Sequence, residues 1–102
     1  SVTQPGADEP PELAMKTKAL LGYATFPSEE VAVRVSRQLV SEGLIACANI
    51  FPPHTAIYGW NGAILQEKEC AVIFKTVATR TATLGERIRA IHPYQLPALV
   101  FL

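Results

Sequence analysis

An α+β fold of the ferredoxin-like plait type, a split βαβ with a long hairpin between its second and third strands, is what the order of elements predicts. Three observations carry it. An apolar run is followed by one amphipathic helical stripe. Two long extended runs flank Asn61-Gly62. A second helical stripe then ends at Pro93 and is followed by a last apolar run. The chain has 102 residues, which suits one domain with a modest core.

The first strand is expected over Ala19 to Phe26, ended by Pro27. Ser28 is a good N-cap, and Glu29 and Glu30 fall in the first turn, where they oppose the positive end of the helix dipole. Val31, Val35 and Leu39, with Ala32 and Val40 beside them, make one apolar stripe, and Gly43 is a natural helix terminator. Leu44 to Phe51 reads as a buried strand. Pro52-Pro53 interrupts it, because proline cannot donate to a ladder. His54 to Trp60 resumes in extended form, and Asn61-Gly62 supplies the two positive-φ positions of a type I′ turn. Ala63 to Val77 returns as a long strand with Glu67 and Glu69 on one face and Cys70, Val72 and Phe74 on the other.

For the second helix, Thr83 and Glu86 fit a capping box, while capping at Thr79 gives the longer helix and is the preferred reading. Leu84, Ile88 and Ile91 are its apolar stripe. His92 precedes Pro93, which disfavours the α conformation and ends the helix. Pro97 to Leu102 is the expected last strand. Both helices then cover one sheet face. The other face has no third helix to cover it, so another subunit is expected there. Hairpin arms of about fifteen residues, two to three times the usual strand, point the same way.

Nine basic and nine acidic residues balance, and no Lys/Arg run exists. Electrostatic capture of nucleic acid or of an anionic membrane is therefore not expected. A hydrophobic fraction of 49% with a mean hydropathy of +0.20 is high for a small monomer. No apolar run approaches the ~20 residues of a membrane span. Residues 1–17 are expected to be a disordered or extended tail, polar and proline-rich over Ser1 to Glu12, without signal-peptide character, and residues 18–102 the domain. The expected compartment is the cytoplasm. Cys47 and Cys70 sit in apolar runs and read as buried thiols; no CxxC is present.

Several side chains carry possible chemistry. His92 at a helix C-terminus is favoured when protonated, and it is either a cap for backbone carbonyls or a cleft ligand. His54 reads as a surface-loop histidine. Tyr58 and Trp60 share a strand face, as packing residues or as a ligand platform. Glu67 and Glu69 also share a face, as a solvated strand face, as ligands for a hard cation or as an acid/base pair. Lys75 lies in a buried run and needs a carboxylate partner or a snorkelling path. Glu69 is a candidate, but six residues along one strand the two meet only across chains. No nucleophile motif, phosphate loop or zinc spacing occurs, so the chain is not expected to be an enzyme.

Ala46-Cys47-Ala48-Asn49, Ile57-Tyr58-Gly59-Trp60-Asn61-Gly62, Glu69, Lys75-Thr76 and His92-Pro93-Tyr94-Gln95-Leu96-Pro97 resemble, in order and spacing, the motifs of the CutA family, the CutA1 divalent-cation tolerance proteins. The resemblance covers Ala19 to Leu102. It implies a homotrimer whose long hairpins pair between subunits. It also implies intersubunit clefts in which Trp60, Lys75, His92 and Tyr94 gather, with Glu69 as a further cleft residue. Copper or another divalent cation is the implied ligand, not required for the fold, with His92 the implied metal ligand here. A protein partner is the alternative the family suggests, since animal relatives are linked to acetylcholinesterase anchoring and assembly; the trimeric plait shared with PII-like signal proteins suggests signalling. The chain departs from the copper-binding pattern at Ala24, where those members carry cysteine, and at Ala98, where they carry an acid. The family also continues past the position of Leu102 with a strand and a short helix.

Overall fold

The computed structural model describes residues 18–92 and 99–102. The expected tail, Tyr94 and Ala98 lie outside the described residues. The elements are β1 (Ala19–Phe26), α1 (Glu29–Ser41), β2 (Cys47–Ile50), β3 (His54–Trp60), β4 (Ala63–Val77), a 3-10 turn (Ala78–Arg80), α2 (Thr81–Ile91) and β5 (Val100–Phe101). The sheet order is β2-β4-β1-β5, with β3 pairing the first half of β4, and every pairing is antiparallel. This is the expected plait, its second strand broken into β2 and β3 at the two prolines.

Local chemistry explains the helix ends. The Ser28 side chain accepts from the Val31 backbone N–H at 3.2 Å, the N-cap bond. At the other end the N–H of Gly43, with φ +72°, donates to Val40, and that of Leu44 donates to Leu39. These two bonds are a Schellman cap and need the left-handed residue that glycine supplies. Ala32, Val35, Ser36 and Leu39 face the core; Val40, expected in the stripe, is exposed, and Ser36 takes the buried flank instead.

Three expectations are corrected. Regular strand covers only Cys47–Ile50 of the run Leu44 to Phe51, because Leu44 still belongs to the helix cap. Isolated ladder bonds from Ala46 to Lys75 and from Phe51 to Ala71 flank that strand. Neither Thr79 nor Thr83 caps the second helix. The ladder runs on to Ala78, whose N–H donates to Lys18, and the chain winds at once into the 3-10 turn, so α2 starts at Thr81 with no side-chain cap. The last strand is confined to Val100–Phe101 among the described residues.

Alternation sorts the sheet into two faces. Ala24, Phe26, Cys70, Val72 and Phe74 point to the helices and join Val35, Leu39, Leu84 and Ile88 in one core cluster. Each fully buried side chain of the size of Phe26, Phe74 or Leu39 contributes about 1.5–3 kcal/mol. Gly22 belongs to this face because the Phe101 ring would lie 3.2 Å from any Cβ there. The opposite face carries Leu21, Tyr23 and Val100, all exposed, with Cys47, Ile73, Lys75 and Val77 half-buried. No described helix covers it.

Beyond this body β3 and the first half of β4 run out as a two-stranded arm, which accounts for the elongated extents of 51 × 25 × 23 Å. Its turn is the expected type I′, with φ +48° at Asn61 and +78° at Gly62.

Candidate ligand cleft

His92 closes α2. Its backbone N–H donates to Ile88 at 2.9 Å, and its φ of −128° and ψ of 82° take the chain out of the helix, as a residue before proline requires. The ring is 2% exposed and meets Phe26 edge-on, with centroids 5.7 Å apart. Burial, with the charge of Arg34 adding to it, holds the imidazole below its ordinary value. The dipole at the helix end was expected to favour the protonated ring, but removal from water outweighs it. A neutral imidazole is the form that coordinates a metal.

The other expected cleft residues spread along the β3–β4 hairpin. Trp60 is at the arm tip, 55% exposed, opposite Ala63. Lys75 lies in the body opposite Leu21 and Cys47, half-buried, and the described residues offer it no salt bridge. Twelve residues of β4 separate Ala63 from Lys75, about 40 Å at 3.3–3.4 Å per residue. Glu69 lies between them on the same face as Lys75, about 20 Å from it by the same measure. Glu69 and His92 occupy one end of the sheet, since Phe26, which touches His92, pairs with Cys70. They lie on opposite faces there, Glu69 outward and His92 under the helices. A single chain therefore brings none of Trp60, Lys75, Glu69 and His92 together into one pocket.

The described residues of a single chain do not supply a copper centre at His92. Ala24 is buried in the core and offers no donor. Among the described residues no three His, Cys, Asp or Glu side chains converge on one point. Specific copper binding needs several ligands at fixed geometry. Cys70 is no substitute: its thiol is buried, donates to the Phe51 carbonyl at 3.1 Å, and burial, then Glu29, pushes it up. Cys47 is half-buried and lies across from Lys75, so only one of the two expected buried thiols is fully enclosed.

Two features were missed from the sequence. Arg34 approaches His92 closely enough to depress it, and no spacing rule announces that. His54 is a strand residue, not a loop residue. It pairs with Glu69, its Nε2 lying 3.7 Å from Oε1. That pairing was available from the turn: counting outward from Asn61-Gly62 matches Trp60 with Ala63 and, six steps on, His54 with Glu69.

A ferredoxin-like plait with an extended hairpin arm and an uncovered sheet face thus frames the candidate residues. Residues 20–102 match the family model described as CutA1 divalent ion tolerance protein. The divalent-cation tolerance protein CutA of Thermotoga maritima is 45% identical over 83 residues, 81% of either chain. The crystal structure of the divalent ion tolerance protein CutA1 from Ehrlichia chaffeensis superposes with a TM-score of 0.78 at 41% identity, covering 84% of this chain and 80% of that one. The periplasmic divalent cation tolerance protein CutA of Archaeoglobus fulgidus does so with 0.77 at 33% identity, covering 82% and 81%. The chain belongs to the CutA1 family. No described helix is long and apolar enough to cross a membrane.

Proposed function

We propose that this chain is a non-enzymatic homotrimer acting in divalent-cation tolerance, and that it binds metal or a small ligand in clefts between subunits. The observation that carries the reading is the distribution of Trp60, Glu69 and Lys75 along one extended hairpin, Trp60 at the end of β3 and the other two on β4. Residues about 20–40 Å apart in one chain share a cleft only when a second copy lays its arm beside the first. The uncovered face with Leu21, Tyr23 and Val100, and the apolar arm, supply surface for such an assembly. Trp60, Glu69, Lys75, His92 and Tyr94 are the proposed cleft residues with His92 the proposed metal ligand, and copper is the proposed test ion because relatives are named for divalent cations. A neutral His92 supports a role in coordination, with the remaining donors supplied by another subunit.

Residues 18–102 are the proposed functional domain, preceded by 1–17 as a tail. Free thiols at Cys47 and Cys70 support a reducing compartment, the cytoplasm. Light scattering is expected to give about three times the 11.1 kDa of one chain. Calorimetric titration with Cu(II) is expected to show binding that His92→Ala weakens; binding unchanged by that substitution removes His92 from the site. A second reading, a protein-interaction trimer, is favoured by the exposed apolar residues at the arm tip. It predicts partner capture that depends on the arm and needs no metal.

A further inference from the structure

At the base of the arm Glu69 gathers a polar group of its own, away from His92. Glu69 presents its two oxygens in two directions. Oε1 faces the His54 imidazole Nε2 at 3.7 Å, and Oε2 accepts from the Thr25 hydroxyl at 3.4 Å. The two side chains are directly opposed across an antiparallel pair, so their backbones are fixed by the ladder. Both remain open to solvent, with side-chain exposures of 39% for His54 and 26% for Glu69.

The nitrogen–oxygen separation exceeds a hydrogen bond. It is close to the distance between two ligands of one tetrahedral ion, about 3.4 Å when each bond is about 2.0–2.2 Å long. Thr25 occupies the position of an outer-shell partner, holding the carboxylate so that Oε1 stays turned toward His54. The electrostatics agree. Ala56 stands opposite Glu67 on the same face, between His54 and Tyr58. The Tyr58 phenol is pushed up by hydrogen bonding to Glu67, with burial and the charges of Glu67 and Glu69 adding. Lys68, the basic residue of the arm, projects from the other face, where it donates to Thr55 at 3.0 Å. The face around Glu69 therefore carries two carboxylates and no ammonium.

The geometry points to a divalent transition-metal site at the root of the arm, with His54 Nε2 and Glu69 Oε1 as its two protein ligands, Thr25 as positioning residue and water in the remaining positions. Imidazole and carboxylate together suit zinc or copper better than calcium or magnesium. With two protein ligands the site is an exchangeable one. It shares Glu69 with the proposed cleft but needs neither His92 nor a second subunit, so substitution of His92 tells the two readings apart.

Titration of the full chain with Zn(II) alone, followed by calorimetry and by 15N chemical shifts of the imidazole nitrogens, tests it. Wild type is expected to take up Zn(II) saturably, with the largest shift at His54 Nε2. His54→Gln and Glu69→Gln are each expected to weaken uptake by at least about tenfold, and Thr25→Val by about tenfold through loss of its outer-shell bond. His92→Ala is expected to change it less than twofold, whereas the proposed cleft site depends on His92, so the two readings fail separately. Circular dichroism on each variant separates lost ligands from lost fold. Should any variant unfold, the His54 Nε2 shift in wild type decides alone. Absence of that shift in wild type, its loss with His92→Ala, or uptake by a His92→Ala background that survives His54→Gln overturns the site.

Discussion

β4 is one strand in two environments. Its second half, Cys70 to Val77, lies between β1 and β2 with both helices over it, and Cys70, Val72 and Phe74 are fully enclosed. Its first half, Ala63 to Glu69, has β3 alone beside it. There Ile64 is 82% exposed, and Ile57 across the ribbon is 68% exposed. The first half is also the more polar, with Gln66, Glu67, Lys68 and Glu69, yet its apolar Ile64 is left in solvent while those of the second half are enclosed. A two-stranded ribbon alone is marginal in water, and exposed apolar side chains on it mark a surface meant for something else. The body of the plait is stabilised within the chain. The arm extends beyond it with only the β3–β4 ladder to hold it among the described residues.

Substitutions in the two halves give the strongest tests of that difference. Phe74→Ala opens a cavity in the enclosed half and is expected to cost about 3–5 kcal/mol, read from urea unfolding. Ile64→Asp in the arm removes no intrachain packing of that kind. If the arm docks on another copy, it is expected to shift the mass from trimer toward monomer, with a loss of about 1.5–3 kcal/mol per subunit from the docked side chain. A variant whose mass and unfolding midpoint both match wild type would mean that the arm lies free in solution, and the contrast between the halves would lose its functional meaning.

The same contrast decides what was legible in the sequence. Alternation, the Ser28 cap, Gly43 and Asn61-Gly62 are local signals, and each resolved into the expected geometry. Phe26, Val72 and Phe74 announced the core because their periodicity matches the face they occupy. The start of α2 was not legible, since Thr79, Thr81 and Thr83 all offer the same capping chemistry and the choice was made by the ladder bond from Ala78 to Lys18, a long-range contact. The site was legible as residue types and not as a place. Trp60 falls on β3 and Glu69 and Lys75 on β4, as the turn at Asn61-Gly62 divides them, but no sequence pattern states how far along the hairpin they stand apart. The state of His92 failed for a related reason: its neighbours Phe26 and Arg34 come from other elements, and their effect exceeds that of its own helix.

The arm's turn gives a smaller effect. A Cβ at Gly62 would meet nothing within 4 Å, yet its φ of +78° is one that side chains rarely adopt. Gly62→Ala is expected to cost about 1 kcal/mol from backbone strain alone. A trimer is expected to hide part of that loss, because the docked arm keeps its register. Amide exchange at Tyr58 and Leu65 reads it directly: faster exchange in the variant with the mass unchanged is the expected result, and unchanged exchange would mean that the turn does not set the register.

The smallest effect belongs to the surface of the body, where Glu42 at the end of α1 accepts from Arg87 Nε at 2.6 Å, Arg87 Nη2 at 2.7 Å and Gln38 Nε2 at 2.5 Å. The Arg87 guanidinium, with Gln38 assisting, lowers the Glu42 carboxyl from 4.5 to about 2. The folded value is the depressed one, so the unfolded chain takes up the proton first. The contribution of Glu42 is complete above pH 4.5, declines as the pH falls, and is gone by about 2. The pair is exposed, and salt screens it. Glu42→Gln is therefore expected to change stability little at neutral pH and to flatten the decline between pH 4.5 and about 2, with the difference from wild type shrinking in 1 M NaCl, where the screening length is about 3 Å. Identical acid profiles for the two proteins would show that this bridge between the helices does not form in solution. A large loss at neutral pH would mean instead that the helix pair depends on the bridge as strongly as the enclosed half of β4 depends on Phe74.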